Sequence, residues 1–216
     1  MKLVIKIGGS LCIDENGPIH SYFSMLVPIL NGLKSKNQII VSIGGGKFIR
    51  KYYKSVERLG LNNKKMEWIA VDLLKVNTRF LAYLLKLKPI FTLEEINERS
   101  SGVISGIKPG RSTDANAAYA SKKIKADLFI KLTNVDGIYD KDPKKYKNAK
   151  KLKAIKFSEL SKYGVKGEPG SYGILDKTAI GIIKKNKIKT IIINGGNPKN
   201  LLKAIKGRGI GTSISD

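Results

Sequence analysis

The sequence predicts an α/β protein with a mainly parallel sheet covered by helices on both faces. Apolar runs at residues 2–7, 38–43, 126–132 and 187–194 alternate with segments of helical periodicity, the pattern of repeated strand–helix–strand units. Several of these runs break off into glycine, hydroxyl, cation or carboxylate, and in open α/β sheets ligands bind beyond the carboxyl ends of the strands. The chain has 216 residues, 42% of them hydrophobic, which suffices for one sizeable core. No repeat, low-complexity segment or linker interrupts it, so residues 1–216 read as a single domain.

Residues 2–7 form the first strand and run into Gly8-Gly9-Ser10. Two glycines let the backbone approach a ligand closely, and successive N–H groups there can cup an anion. Lys6, near the strand's end, would set an ammonium beside that anion; taken alone, the stretch reads as a strand and a tight turn. A turn-rich segment (Asp14-Glu15-Asn16-Gly17-Pro18) precedes a helix over 21–34, with Ser21 as its N-cap and Phe23, Leu26, Ile29, Leu30 and Leu33 facing the core. The strand at 38–43 ends in Gly44-Gly45-Gly46, followed by a helix carrying Lys47 and Arg50. The amino end of that helix faces the turn and suits a phosphate. The chain has no P-loop, and the turn lacks the third glycine of a dinucleotide fingerprint. Two strand-to-glycine turns in one domain favour a phosphate cradle over glycines kept for packing.

Residues 66–85 read as one long helix, apolar nearly all round, as a helix buried against the sheet and a second subunit would be. Its polar exceptions Glu67, Asp72, Lys75 and Asn77 need partners or solvent. A short helix is expected from near Thr92. The strand starting at Val103 then ends in a loop holding Ile107, Lys108, Pro109, Gly110, Arg111, Ser112 and Thr113, with Thr113 or Asp114 capping a helix from Ala115. A cap and a turn explain Thr113 and Asp114; Lys108 and Arg111 beside them make a second oxyanion-binding loop. The run Leu128-Phe129-Ile130 leads into a polar loop over 133–143. Thr133 and Asn134 offer short hydrogen-bonding groups there, Tyr139 a flat ring, and Asp136 and Asp142 charge. Taken alone, this loop is as well read as a surface turn. Residues 144–153 are a lysine-rich solvated stretch without assigned chemistry. A helix over 158–163, a glycine-rich loop over 164–173, a helix capped by Asp176, a strand at 187–194, a helix over 198–205 and an edge strand at 210–214 complete the chain.

The composition excludes several chemistries. Cys12 is the only cysteine and His20 the only histidine, so there is no intrachain disulfide and no cysteine- or histidine-based metal site. No apolar run approaches the length that spans a bilayer, and the first residues are too short an apolar stretch for a signal peptide; a cytoplasmic protein is expected. The net charge of +24 favours anionic partners. Only six of the 41 basic residues are arginine, and the lysines are scattered, which argues against nucleic acid as the main partner.

Strand carboxyl ends share one edge of a parallel sheet. Two phosphate-adapted regions, Lys6, Lys177 and an aspartate gathered there suggest phosphoryl transfer between two phosphorylated groups, which needs positioning, cations and exclusion of water more than covalent help. Four stretches carry a resemblance: Lys6-Ile7-Gly8-Gly9-Ser10, Gly44-Gly45-Gly46-Lys47, Pro109-Gly110-Arg111-Ser112-Thr113-Asp114-Ala115, and the segment from Thr133 through Tyr139 to Pro143. In this order and spacing they resemble the amino-acid kinase superfamily, and the third points to its UMP kinases of the archaeal and bacterial type. The resemblance covers nearly the whole chain. It implies a three-layer α/β/α sandwich, a homo-oligomer (commonly a hexamer in that branch), and ATP-dependent conversion of UMP to UDP with Mg²⁺ in pyrimidine nucleotide biosynthesis. By the same resemblance Lys6, Ile7, Gly8, Gly9, Ser10, Gly46 and Arg50 hold ATP phosphates, and Thr133, Asn134, Tyr139 and Asp142 frame adenine and ribose. Gly45 and Ile107 through Thr113 hold the acceptor; Lys6, Asp176 and Lys177 are catalytic; no protein metal ligand is implied.

Departures cluster on the acceptor side. Glu67 stands where the family has a ribose-binding Asp, Ala70 replaces a Gly, and Leu74-Lys75 replaces Thr-Arg, with Asn77 retained. Lys177 replaces a Pro, so residues 173–177 also resemble the Gly-Met-x-x-Lys segment of acetylglutamate-type kinases. The alternative is therefore a kinase of the same fold acting on another small phosphate or carboxylate, and more distantly a non-catalytic nucleotide or oxyanion binder.

Overall fold

The computed structural model describes residues 1–143, 145–163 and 174–216. In chain order the elements begin with β1 (Lys2–Ile7), α1 (Gly9–Cys12), α2 (His20–Lys34), β2 (Gln38–Ile43), α3 (Gly46–Glu57) and α4 (Asn63–Leu85). Next come β3 (Pro89–Ile90), β4 (Gly102–Ile104), α5 (Thr113–Ile124), β5 (Leu128–Thr133) and β6 (Ala154–Ile155). A 3-10 turn at Phe157–Glu159, α6 (Leu160–Tyr163), α7 (Lys177–Lys185), β7 (Thr190–Asn194), α8 (Asn200–Ile205) and β8 (Thr212–Ile214) follow. The strands form one sheet in the order β3-β4-β2-β1-β5-β7-β8-β6, with β7–β8 the only antiparallel strand pair among the described residues. From β1 the chain builds outward through β2 to one edge, then returns to β5 on the other side of β1. That reversal opens a crevice at the strand ends.

Side-chain alternation along β1 divides the core. Leu3, Ile5 and Ile7 pack with Leu26 and Leu30 of α2, Leu81 and Leu85 of α4, and Leu201 of α8. Val4 packs on the opposite face with Ile124 of α5, Phe129 of β5 and Ile180 and Ile183 of α7. Helices on both faces make the expected three layers. Lys6 shares the face of Val4, so it points toward α5.

Several local expectations are corrected. The second helix starts at His20 with Ile19 at the N-cap position, and Ser21 lies inside it. No helix forms near Thr92; residues 91–100 are turns, in which the Glu95 carboxylate accepts the N–H groups of Phe91 and Thr92 at 2.9 Å each. The N-cap of α5 is Ser112 rather than Thr113 or Asp114. The last strand lies between β7 and β6 instead of at the edge. The long helix buries only one side: Trp68, Val76 and Tyr83 are 45%, 59% and 70% exposed. The glycine-rich loop assigned to 164–173 lies outside the described residues.

Cys12 is fully buried under α2, and burial pushes its thiol from the ordinary 9.0 up to about 12. The unfolded chain loses this proton near pH 9 while the folded chain keeps it, so stability falls as pH rises from about 9 toward 12, by about 1.4 kcal/mol per pH unit. Tyr22, also raised by burial, adds to the same trend at higher pH. Urea unfolding at pH 7 and pH 10.5 is expected to show a lower midpoint at the higher pH. The drop should be smaller in Cys12→Ala; an equal drop would refute the assignment.

Candidate active site

Two glycine turns meet at the carboxyl ends of β1 and β2. A Cβ on Gly9 would stand 2.2 Å from the Gly46 amide nitrogen and 2.8 Å from that of Gly45, so only glycine permits the two loops to touch. Gly46 has φ +66°, and a Cβ there would lie 2.3 Å from the Ile13 carbonyl oxygen. A Cβ at Gly44 would meet the Gly9 nitrogen at 2.7 Å and the Lys6 Nζ at 3.3 Å. The bare backbone of Gly44 therefore leaves room for the Lys6 ammonium. Arg50, one helical turn into α3, reaches back and donates from Nη2 to Ser10 Oγ at 3.2 Å.

The floor of the crevice is a buried charge cluster. Lys6 of β1 and Lys131 of β5 are register partners in the parallel ladder, so their side chains emerge side by side on the α5 face. Between them, in the first turn of α5, lies Asp114. Its Oδ2 is 2.6 Å from Lys131 Nζ and its Oδ1 is 3.5 Å from Lys6 Nζ. All three are nearly inaccessible, at 5–6% exposure. The Lys6 and Lys131 side chains both line the adjoining space, where their positive charge suits an anion. Lys131 also donates to the Ile174 carbonyl, which ties the segment before α7 to the cluster.

Two helix amino ends close the far wall. Ser112 Oγ accepts the Ala115 N–H at 2.9 Å as N-cap of α5, and Asp176 Oδ1 accepts the Ala179 N–H at 3.0 Å as N-cap of α7. The Ser112 hydroxyl donates to the other Asp176 oxygen, joining the caps. Both helices thus turn their positive dipole ends toward the crevice. Ser42 Oγ, donating to the Thr113 carbonyl at 3.2 Å, anchors α5 to β2.

These parts enclose a cavity of about 480 Å³. Of the residues singled out in the sequence, Lys6, Gly8, Gly9, Ser10, Gly45, Gly46, Arg50, Ser112, Thr113, Thr133, Asn134, Asp142 and Asp176 line it. Ile7 belongs to the core, and Tyr139 pairs with Lys151 in an isolated bridge behind the loop. Glu67 is exposed on α4, outside the lining. Ile107, Lys108, Pro109 and Gly110 lie beyond the rim, where Arg111 stacks on Tyr119 with Cζ 4.8 Å from the ring centroid. Lys177, expected as the second catalytic cation, lies on an exposed face of α7 beside Ser161 and Lys184. Lys131 holds the buried position instead. Sequence reasoning did not single out Lys131 and read Asp114 only as a cap. The available signal was a lysine inside an otherwise apolar parallel strand, matched by Lys6 in another. Gly44, Leu11, Val135 and Ile174 complete the lining.

The sequence matches the family model described as Amino acid kinase family over residues 1–88 and 94–194. A uridylate kinase of Methanobrevibacter smithii is 37% identical, with 99% of each chain covered, and one of Methanothermobacter thermautotrophicus is 36% identical over the same shares. The crystal structure of uridylate kinase from Archaeoglobus fulgidus superposes with a TM-score of 0.86 at 33% identity, covering all of both chains. A UMP kinase structure from Ureaplasma parvum shares the fold, with a TM-score of 0.81 at 19% identity, 100% of this chain and 99% of that one. With a matching family model over most of its length and full-length relatives above 30% identity, the chain belongs to the amino acid kinase family.

Proposed function

We propose that this chain transfers the γ-phosphoryl group of ATP to UMP, giving ADP and UDP. The observation that carries the reading is the buried Lys6–Asp114–Lys131 cluster lining the cavity beneath two interlocked glycine turns. The names of the full-length archaeal relatives supply UMP as acceptor. In this reading the 133–143 loop receives adenosine through Thr133, Asn134 and Asp142, and the β- and γ-phosphates lie over Gly8, Gly9, Ser10, Gly46 and Arg50. UMP sits by Gly45 and the Arg111–Thr113 end of its loop.

An oxygen of the UMP phosphate attacks the γ-phosphorus while the bond to the β,γ-bridging oxygen breaks, and ADP leaves with that electron pair. A phosphate monoester is largely deprotonated at pH 7, so no general base is required. Lys6 and Lys131 hold positive charge beside the phosphoryl oxygens, and Asp114 fixes both ammonium groups. Among the described residues no cluster of three His, Cys, Asp or Glu is arranged to cage a metal. Mg²⁺ usually takes one or two carboxylates plus substrate phosphates; Asp176 is the carboxylate offered, and the ion would supply charge neutralisation. The departures Glu67 and Lys177 lie outside the cavity lining, as does Arg111 of the acceptor loop. Coupled ADP release over UMP, CMP, dUMP and small phosphorylated alcohols is expected to favour UMP; no preference for UMP would overturn the acceptor assignment.

We further read residues 1–216 as one domain, located in the cytoplasm; among the described residues no helix is long and apolar enough to cross a membrane. A homo-oligomer is supported by the outer side of α4. Trp68, Asp72, Val76, Arg79 and Tyr83 recur at spacings of three and four and are all exposed, forming one stripe. Antiparallel packing of two copies about a two-fold axis between Lys75 and Val76 sets Trp68 opposite Tyr83 and Asp72 opposite Arg79, a self-complementary surface. Asp72→Arg and Arg79→Asp are each expected to lower the mass seen by light scattering, and the double variant to restore it. Unchanged mass in both single variants would exclude this face.

A further inference from the structure

The 133–143 loop meets the cavity through its two ends, while its middle is fastened from behind by two residues that no role above uses. Asn194, register partner of Thr133 at the end of β7, donates from Nδ2 to Asp136 Oδ1 at 2.8 Å. Its own Oδ1 accepts the Gly196 N–H at 2.8 Å, which fixes the orientation of the amide. Thr212, fully buried on β8, accepts the Ile138 N–H at 2.8 Å and donates the same hydroxyl to the Leu152 carbonyl. The Leu152 N–H closes the circuit on the Ile138 carbonyl at 2.8 Å. A Cβ on Gly137 would lie 2.5 Å from Thr212 Oγ1, so the loop backbone rests directly on that hydroxyl.

We propose that Asn194 and Thr212 are positioning residues that hold the 133–143 loop in its nucleotide-receiving shape before the donor arrives. The proposal rests on the reading of that loop as the ATP side of the cavity. A loop ordered in advance spares the binding step the cost of ordering it. With the Thr212 hydroxyl gone, the Ile138 N–H and the Leu152 carbonyl each lose a buried partner, and the loop gives up this shape more readily. Asp136 and Ile138 lie outside the cavity lining, so the effect reaches the donor through loop shape.

Thr212→Val keeps the side-chain shape and removes the hydroxyl; Thr212→Ser keeps the hydroxyl. The readouts are calorimetric affinity for a non-hydrolysable ATP analogue, KM for each substrate, kcat, and amide exchange across 134–143. Thr212→Val is expected to weaken the analogue and raise KM for ATP about five- to tenfold, with faster exchange confined to the loop. KM for UMP and kcat at saturation should stay within about twofold, and Thr212→Ser should behave as wild type. Asn194→Ala should shift ATP in the same direction. Unchanged analogue affinity in Thr212→Val, equal losses for both substrates, or failure of Thr212→Ser to restore ATP binding would overturn the proposal. A wild-type protein that binds the analogue without turning over UMP refutes the acceptor reading alone, and the titration still decides on the clamp.

Discussion

Replacing Lys6 by Met is expected to lower kcat about a thousandfold or more and to leave the fold intact. The ammonium is buried, at 5% exposure, next to the glycine turns that would carry the transferring group. Removing a preorganised charge from such a site typically costs two to three powers of ten, and a full positive charge in low dielectric belongs at the upper end. Stability should respond the other way. Burying an ammonium carries a desolvation cost that Met does not, and Lys6→Met leaves the Lys131–Asp114 pair at 2.6 Å in place. The urea midpoint is therefore expected to hold or rise, a trade of stability against activity. Loss of turnover together with loss of stability would mean that Lys6 is structural.

Asp114→Asn is expected to do the opposite to the fold. It removes the carboxylate that both buried ammonium groups approach, and removing one partner from a buried ionic cluster costs about 3–5 kcal/mol. The loss would appear as a fall in the urea midpoint at neutral pH. Adding Lys131→Met to Asp114→Asn removes one of the two opposed charges and should recover part of the loss, so the pair is strongly non-additive. Additive behaviour would mean that Asp114 acts as an ordinary first-turn residue of α5.

The ease of reading each element follows from its burial. Residues 2–7 and 38–43 are strands with the expected bounds, because a strand covered on both faces writes a continuous apolar run into the chain. The segment after Thr92 misled because Glu95 stabilises its turns through side-chain hydrogen bonds, which local propensity does not register. The long helix was legible as a helix, but its apolar outer stripe could not be told from core by pattern alone. In the site, the glycine turns and the cap at Asp176 were readable, since each is a local requirement of the backbone. Asp114 and Lys131 were not. Their significance depends on strand register, which brings β1 and β5 together across the length of the chain. A lysine at an inward position reads as solvent-facing until its partner is known. Lys177 shows the converse, a residue placed by motif spacing that the first turn of α7 turns away from the cavity.

The central claim is direct transfer of a phosphoryl group, within a site that excludes water, from ATP to UMP. Phosphorus NMR of the protein with ATP, UMP and Mg²⁺ tests it most directly. The account predicts that the ATP γ-phosphorus and UMP signals fall together while those of ADP and UDP grow one for one, with no inorganic phosphate formed at the same rate. Inorganic phosphate accumulating in step with ADP, or ATP left intact in the presence of UMP, would contradict it.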